Sequence, residues 1–323
     1  MIKSYKTIKE FKMKRILLLI LISACFTFAQ EFKKTGTAGF IFLEVPVSAR
    51  SAALGEAAIA LGDLNSDAIF INPGVLGFSP QIHSLSVSYA NWIADIRHIA
   101  SSYAFKTGVG VFSVSVNAFD FGTMPRTVKV GGQRVYDVLG TFSANALALS
   151  FGYSRQLTDK FSFGVALKYT NEKIDIYNAS NLLFDGGILY YTGFGSFRVA
   201  AAIQNFGTET KYRSDMFRMP TLFKLGAAME VFGGYNEDYR VTAVFEAIHP
   251  NDNNERINVG VETSYQNMVT LRGGYKFFYD EETFSVGIGI NPKLPVPITA
   301  DFAYVDFGRL GDILRFTIQF GLL

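Results

Sequence analysis

Cysteine is nearly absent. The single one, Cys25, permits no intramolecular disulfide. Histidine is scarce as well: His83, His98 and His249 lie far apart, and no second ligand sits at a metal-site spacing from any of them. Long apolar runs are missing apart from Ile16 to Ala29, which excludes a helical membrane protein, because a spanning helix needs about 20 apolar residues in succession. No Walker loop or Rossmann fingerprint occurs. The glycine-rich strings at 108–112 and 287–291 fall inside alternating segments, where glycine makes space. A basic footprint is lacking too. The net charge of +2 over 323 residues comes from residues 1–29, which carry six basic residues and one acid, so the remainder stands at −3 and nucleic acid is not an expected partner.

What is abundant is apolar and aromatic: 49% hydrophobic residues, with 31 Phe, 16 Tyr and 30 Gly. That composition excludes intrinsic disorder and collagen-like repetition. Met13-Lys14-Arg15, the apolar block Ile16 to Ile22 and the small residues after it have the order of a secretory signal, with Thr27-Phe28-Ala29 preceding a mature start at Gln30. The competing reading is a lipoprotein signal acylated at Cys25, since Ile22-Ser23-Ala24-Cys25 has lipobox character.

From His83 to the end the dominant period is two. Leu314, Phe316, Ile318, Phe320 and Leu322 alternate with Arg315, Thr317, Gln319 and Gly321, so one face is greasy and the other small or polar. The same pattern runs through 161–170, 257–262 and 284–291. About fourteen such segments start near residues 84, 96, 109, 142, 160, 182, 194, 221, 239, 255, 268, 283, 297 and 312, the even count of an antiparallel outer-membrane β-barrel. A soluble β-sandwich also alternates, but its outward face carries many Lys, Glu and Thr. Here the non-apolar face is mostly Gly, Ala, Ser and Asn, and aromatics such as Tyr89, Trp92, Tyr169, Tyr190, Tyr265 and Phe277 gather at segment ends as membrane belts would. The expected fold is an all-β transmembrane barrel, residues 81–323, with 120–141 as its major extracellular loop and 174–181 and 206–219 as longer connections.

Residues 30–80 are different. Ser48 to Leu61 is alanine-rich and helical in composition, and the turn Asn72-Pro73-Gly74 follows, so a short N-terminal helical hatch inside the lumen is expected. The alternative is a periplasmic stub beneath the barrel mouth. Charges on the non-apolar face, Lys168, Asp185, Arg198, Lys224, Glu230, Glu246, Glu262, Arg272, Lys276, Asp301 and Arg315, should project into the lumen, with Arg50 of the hatch as a partner for one of the acids. They either brace the wall and dock the hatch or line a selective water-filled path. Candidate lumen and hatch site residues are therefore Arg50, Asn72, Pro73, Lys168, Asp185, Arg198, Glu230, Glu262 and Arg272, with no catalytic or metal residues and no cofactor. The run 251–255 lacks EF-hand spacing and reads as Asx turns. A hydrolytic pair of His98 and Ser102 is disfavoured, because four residues of strand separate them by about 13 Å.

The stretch PVSARSAALGEAAIALGDLNSDAIFINPGVLGF, Pro46 to Phe78, resembles the N-terminal region of the PorV/PorQ family, which belongs with the FadL-like outer-membrane barrels. Its hatch motif Asn-Pro-Ala-Gly-Leu appears here as Asn72-Pro73-Gly74-Val75-Leu76. Segments 91–98, 152–169, 249–262 and 302–317 are similar to the family's recurring segments in order. The resemblance implies a fourteen-stranded barrel in the bacterial outer membrane and a non-enzymatic role. That role is either docking or accessory work in type IX protein export, with secretion-system proteins or exported proteins bearing C-terminal signals as partners, or FadL-like passage of hydrophobic small molecules.

Overall fold

A computed structural model describes residues 36–132, 135–235 and 237–322. The expected signal segment, residues 1–29, with its Cys25 alternative, lies outside the described residues. The barrel strands are β1 (His83–Asn91), β2 (Arg97–Thr107), β3 (Gly110–Lys129), β4 (Tyr136–Thr158), β5 (Phe161–Ile174), β6 (Tyr177–Tyr191), β7 (Arg198–Phe206), β10 (Leu222–Phe232), β11 (Tyr239–Pro250), β12 (Arg256–Tyr265), β13 (Val269–Phe277), β14 (Phe284–Ile290), β15 (Ile298–Asp306) and β16 (Asp312–Leu322). A two-residue pair, β8 (Thr210–Lys211) with β9 (Met216–Phe217), forms a small hairpin between β7 and β10. Every barrel strand pairs antiparallel with its neighbours, and β1 closes on β16 from His83↔Leu322 to Asn91↔Leu314, giving a closed barrel of fourteen strands. Closure is what lipid demands, since an open edge would leave a row of main-chain groups unpaired in hydrocarbon.

Burial follows the alternation. In β1, Leu85, Val87 and Tyr89 face outward while Ser84, Ser86, Ser88 and Ala90 are buried inside. Tyr169, Tyr190, Tyr265 and Phe277 also face outward. Trp92 does not: it turns into the mouth and meets Phe307 edge to face at 5.0 Å.

Most of the expected loop at 120–141 is strand. β3 and β4 run on past the barrel, through irregularities at Asp120/Thr123 and Pro125/Thr127, to Lys129↔Tyr136. Both faces of this projecting hairpin are largely exposed, so its sequence has no reason to alternate, and its arms pair through the main-chain ladder. The expected longer connection at 174–181 is also shorter, because β5 and β6 meet at Ile174↔Tyr177. The 206–219 connection carries β8 and β9.

Residues 36–80 press on the inner wall. Only Ala49–Ala53 of the alanine-rich stretch is helical; Ser48 Oγ caps it by accepting from Ser51 N at 3.3 Å, and Gly55 and Glu56, both at positive φ, end it. Beyond that point the wall shares the main-chain donors with local turns. Gly55 N donates to Ser285 Oγ at 3.0 Å, and Ala58 N and Ile59 N both donate to Glu246 Oε2 at 3.1 Å. Strand glycines seat this backbone. A Cβ on Gly274 would stand 2.0 Å from Gly55 N, and one on Gly164 2.3 Å from the Pro73 carbonyl carbon.

Adjacent glycines of β13 therefore give a matched pair. Gly274→Val should destabilise the barrel by about 1–3 kcal/mol through overpacking. Gly273→Val, on the lipid side with no atom near its Cβ, should leave the unfolding midpoint in micelles unchanged.

Candidate functional site

The strands bring the candidate charges together in three separate groups. Near the rim where the chain enters and leaves the barrel, Glu262 of β12 is a hub. It accepts from Arg50 Nε and Nη2 at 2.9 Å each and from Arg272 Nε at 2.7 Å, with Arg240 Nη2 at 3.7 Å. Arg272 Nη1 reaches Asp301 at 2.6 Å, and Arg50 also pairs with Asp63 of the hatch at 2.9 Å. The cross-strand register Glu262↔Arg272 makes the pair adjacent, and the hatch helix delivers Arg50 to Glu262. Arg198 and Glu230 form the second group, joined by 2.8 Å and 3.1 Å bonds, while Arg198 Nε donates to the hatch carbonyl of Ala60 at 2.8 Å. In the third group Lys168 Nζ meets Asp185 at 2.7 Å and Asn205 Oδ1 at 2.6 Å.

Asn72 is wholly committed to structure. Its Nδ2 donates to Ile59 O and Ile188 O, both at 3.0 Å, and its Oδ1 accepts from Gly74 N at 3.0 Å. Pro73, beside it, lies against Gly164 and Gly187 of the wall. Sequence reasoning missed the hatch acids Glu44 and Glu56. Glu44 pairs with Arg256 at 3.1 Å and Glu56 pairs with Lys276, which also meets Glu282. Neither hatch acid carries a periodic signal, since the hatch is irregular there. Gln204, which donates to Phe70 O and Ile71 O at 2.8 Å, was readable only as one more lumen-facing polar residue.

Space is distributed unevenly. A polar vestibule of about 260 Å³ lies beside the Glu262 hub, lined by Arg50, Arg240, Arg272, Asp301 and Gln319. An aromatic cavity of about 310 Å³ lies at the opposite mouth, between hatch residues Phe40 and Phe42 and the wall residues Trp92, Phe119 and Phe121, with Glu172 and Tyr212 at its edge. Between hatch and wall, the void touching Phe70, Lys168 and Gln204 holds about 50 Å³, room for little more than a water or two.

Two predictions follow from the charges. Glu262→Gln leaves three guanidiniums short of compensation and should cost about 3–5 kcal/mol, as breaking a buried pair does. Asp63→Asn, at a half-exposed partner, should cost about 0–1 kcal/mol. Thermal unfolding in non-ionic detergent reads both. The hatch carboxylate Asp67 accepts from Ser102 at 3.2 Å and Gln319 at 2.7 Å, yet burial pushes its pKa up to about 6. A raised carboxyl pKa means the folded state is favoured when the group is protonated, so this contribution is full below pH 4 and is lost as pH rises through 6. Asp67→Asn should therefore raise the midpoint at pH 7.5 and lose that advantage at pH 4.5.

The chain is similar in fold to solved hydrocarbon-channel structures. The Ralstonia pickettii toluene transporter TbuX superposes with a TM-score of 0.58 at 13% identity, over 89% of this chain and 100% of that one. The Pseudomonas putida toluene transporter TodX gives 0.55 at 14% identity, over 84% and 96%. The CymD monoaromatic hydrocarbon channel gives 0.55 at 10% identity, over 88% and 97%. Identities this low speak to fold alone. Comparison with curated proteins finds no match. The family model that matches, over residues 62–310, is that of the type IX secretion system membrane protein PorP/SprF, not PorV/PorQ. The match covers most of the barrel and the last part of the hatch, and the chain belongs to the PorP/SprF family.

Proposed function

We propose that the protein is a non-enzymatic component of the bacterial outer membrane that docks partners during type IX-like protein export. The observation that carries this reading is a lumen occupied by its own chain: the hatch is tied to the wall by buried ion pairs at Glu262 and Lys276, by the hydrogen bond from Arg198 to the Ala60 carbonyl and by main-chain bonds to Glu246. A wall so engaged favours work done at the surface. The projecting β3–β4 hairpin and the β8–β9 excursion supply that surface at the rim opposite the chain ends. The partners are secretion-system proteins or exported proteins with C-terminal signals, and a PorV-like handover to surface attachment is the finer form of the same role.

A second reading, passive movement of a hydrophobic small molecule, is favoured by the aromatic cavity of about 310 Å³ and by the fold shared with the toluene transporters. On that reading, deleting residues 48–74 raises hydrophobic solute flux in proteoliposomes. On the docking reading it removes structure without creating a selective path.

Thr123 and Ser143 face each other across the base of the hairpin, so an Asn-Gly turn can replace residues 124–142. The shortened protein should fold with unchanged heat-modifiable mobility, while export partners co-purifying from the native membrane fall by about tenfold, the loss of a central contact surface. Undiminished co-purification would remove the hairpin from the docking surface.

A further inference from the structure

The acids of the inner wall are matched by cations. Asp185, Glu230, Glu246, Glu262 and Asp301 each have a lysine or arginine within ion-pair distance. Glu172 follows the buried Thr170 on the inner face of β5, and among the described residues no lysine or arginine pairs with it. The Tyr212 hydroxyl lies within hydrogen-bonding reach of its carboxyl, and Oε2 has no partner. A carboxylate shielded from water without a counter-charge is unfavourable, and a phenol offsets that cost only in part.

The neighbours of Glu172 on the ladder are small. It faces Ala146 of β4 and Ala179 of β6, and Ala146 in turn faces Phe119 of β3. The aromatic cavity of about 310 Å³ occupies this corner of the mouth, walled by Phe40, Phe42, Trp92, Phe119, Phe121 and Tyr212. Glu172 is only part-buried and lines the cavity, so a molecule held there meets its side chain. It is also the one acidic or basic residue in the lining; Arg315, whose Cζ is 5.7 Å from the Trp92 ring centre, is not part of it. Aromatic walls with a single carboxylate select for positive charge. The rings supply apolar area and the negative faces of their π-systems, and the carboxylate supplies the counter-charge. An apolar cavity of about 150 Å³ admits benzene, so this one has room for a six-membered ring with a short charged arm.

We infer that the cavity is a binding site for a small organic cation, an ammonium group carried on an apolar body, with the ammonium against the Glu172 carboxylate and the body among the aromatic rings. The inference rests on neither functional reading above: it assigns a charge to the ligand that a hydrocarbon lacks, and it requires no export partner.

Trp92 is the sole tryptophan of the chain and a wall of the cavity, so its fluorescence reports the site directly. The full chain in non-ionic detergent is titrated with three probes that share one body: cyclohexylmethylammonium, cyclohexylmethanol and cyclohexanecarboxylate. A saturable change should appear with the ammonium at a concentration at least about tenfold below that of the alcohol, the margin one shielded charge contact supplies, and the carboxylate should be the weakest of the three. Glu172→Gln keeps the shape of the side chain and removes its charge. It should abolish the preference for the ammonium while leaving the response to the alcohol. Equal responses to all three probes, silence with the ammonium, or an undiminished ammonium preference in folded Glu172→Gln would each overturn the assignment. The comparison among the probes uses the unaltered protein and holds even where the glutamine variant fails to fold.

Discussion

A strand in hydrocarbon has no water to satisfy its main chain, and this constraint organises the whole molecule. It forces β1 onto β16, fixes an even strand number and sends every second side chain into lipid. The residues left inside must then fill a cylinder. In this chain they do so with serine, alanine and glycine, and the space they leave admits the hatch. The hatch in turn brings its own unpaired main-chain donors and acceptors, which have to be met from the wall. Glu246, Arg198 and Ser285 meet them at the places where helix geometry ends.

The interior is therefore polar in a specific way. Lysines and arginines buried in the wall are matched by acids on neighbouring strands or on the hatch itself, so several of these charge groups join wall and plug. Glu262 shows this best, since it joins two strand arginines and one hatch arginine. Removing the hatch would strand charges in the wall, and removing a wall acid would release the hatch. Arg315 is the exception to the matching among the described residues; its guanidinium is met by the Val47 carbonyl, His98 and the Trp92 ring.

The alternation of β14 or β16 made the strands legible, because a face that meets lipid tolerates almost nothing but apolar residues. The same logic failed at 120–141, where both faces of the hairpin meet water and no period is imposed. It failed again at Ser48 to Leu61, where alanine content suggested helix but only Ala49–Ala53 is helical and the nearby wall glycines and Glu246 hold the rest of the backbone in an irregular path. Of the candidate site, the pairs Glu262 with Arg272 and Lys168 with Asp185 lie on neighbouring strands and were accessible to a reader of alternation. Asn72 and Pro73 were visible as a turn but not as a tie to β6. The contribution of Glu44 and Glu56 needed the fold, since nothing local marks an irregular segment's partner.

The account rests on which side of each strand meets lipid. A spin label walked one residue at a time along β16 from Ile313 to Phe320 in proteoliposomes, with collision rates to oxygen and to a polar nickel reagent, measures that directly. High oxygen and low nickel access at Leu314, Phe316, Ile318 and Phe320, inverted at the residues between, is the result the structure requires. Uniform access to the nickel reagent along the strand would mean that water, not lipid, surrounds the sheet, and the barrel, the hatch and the sites within it would have to be abandoned together.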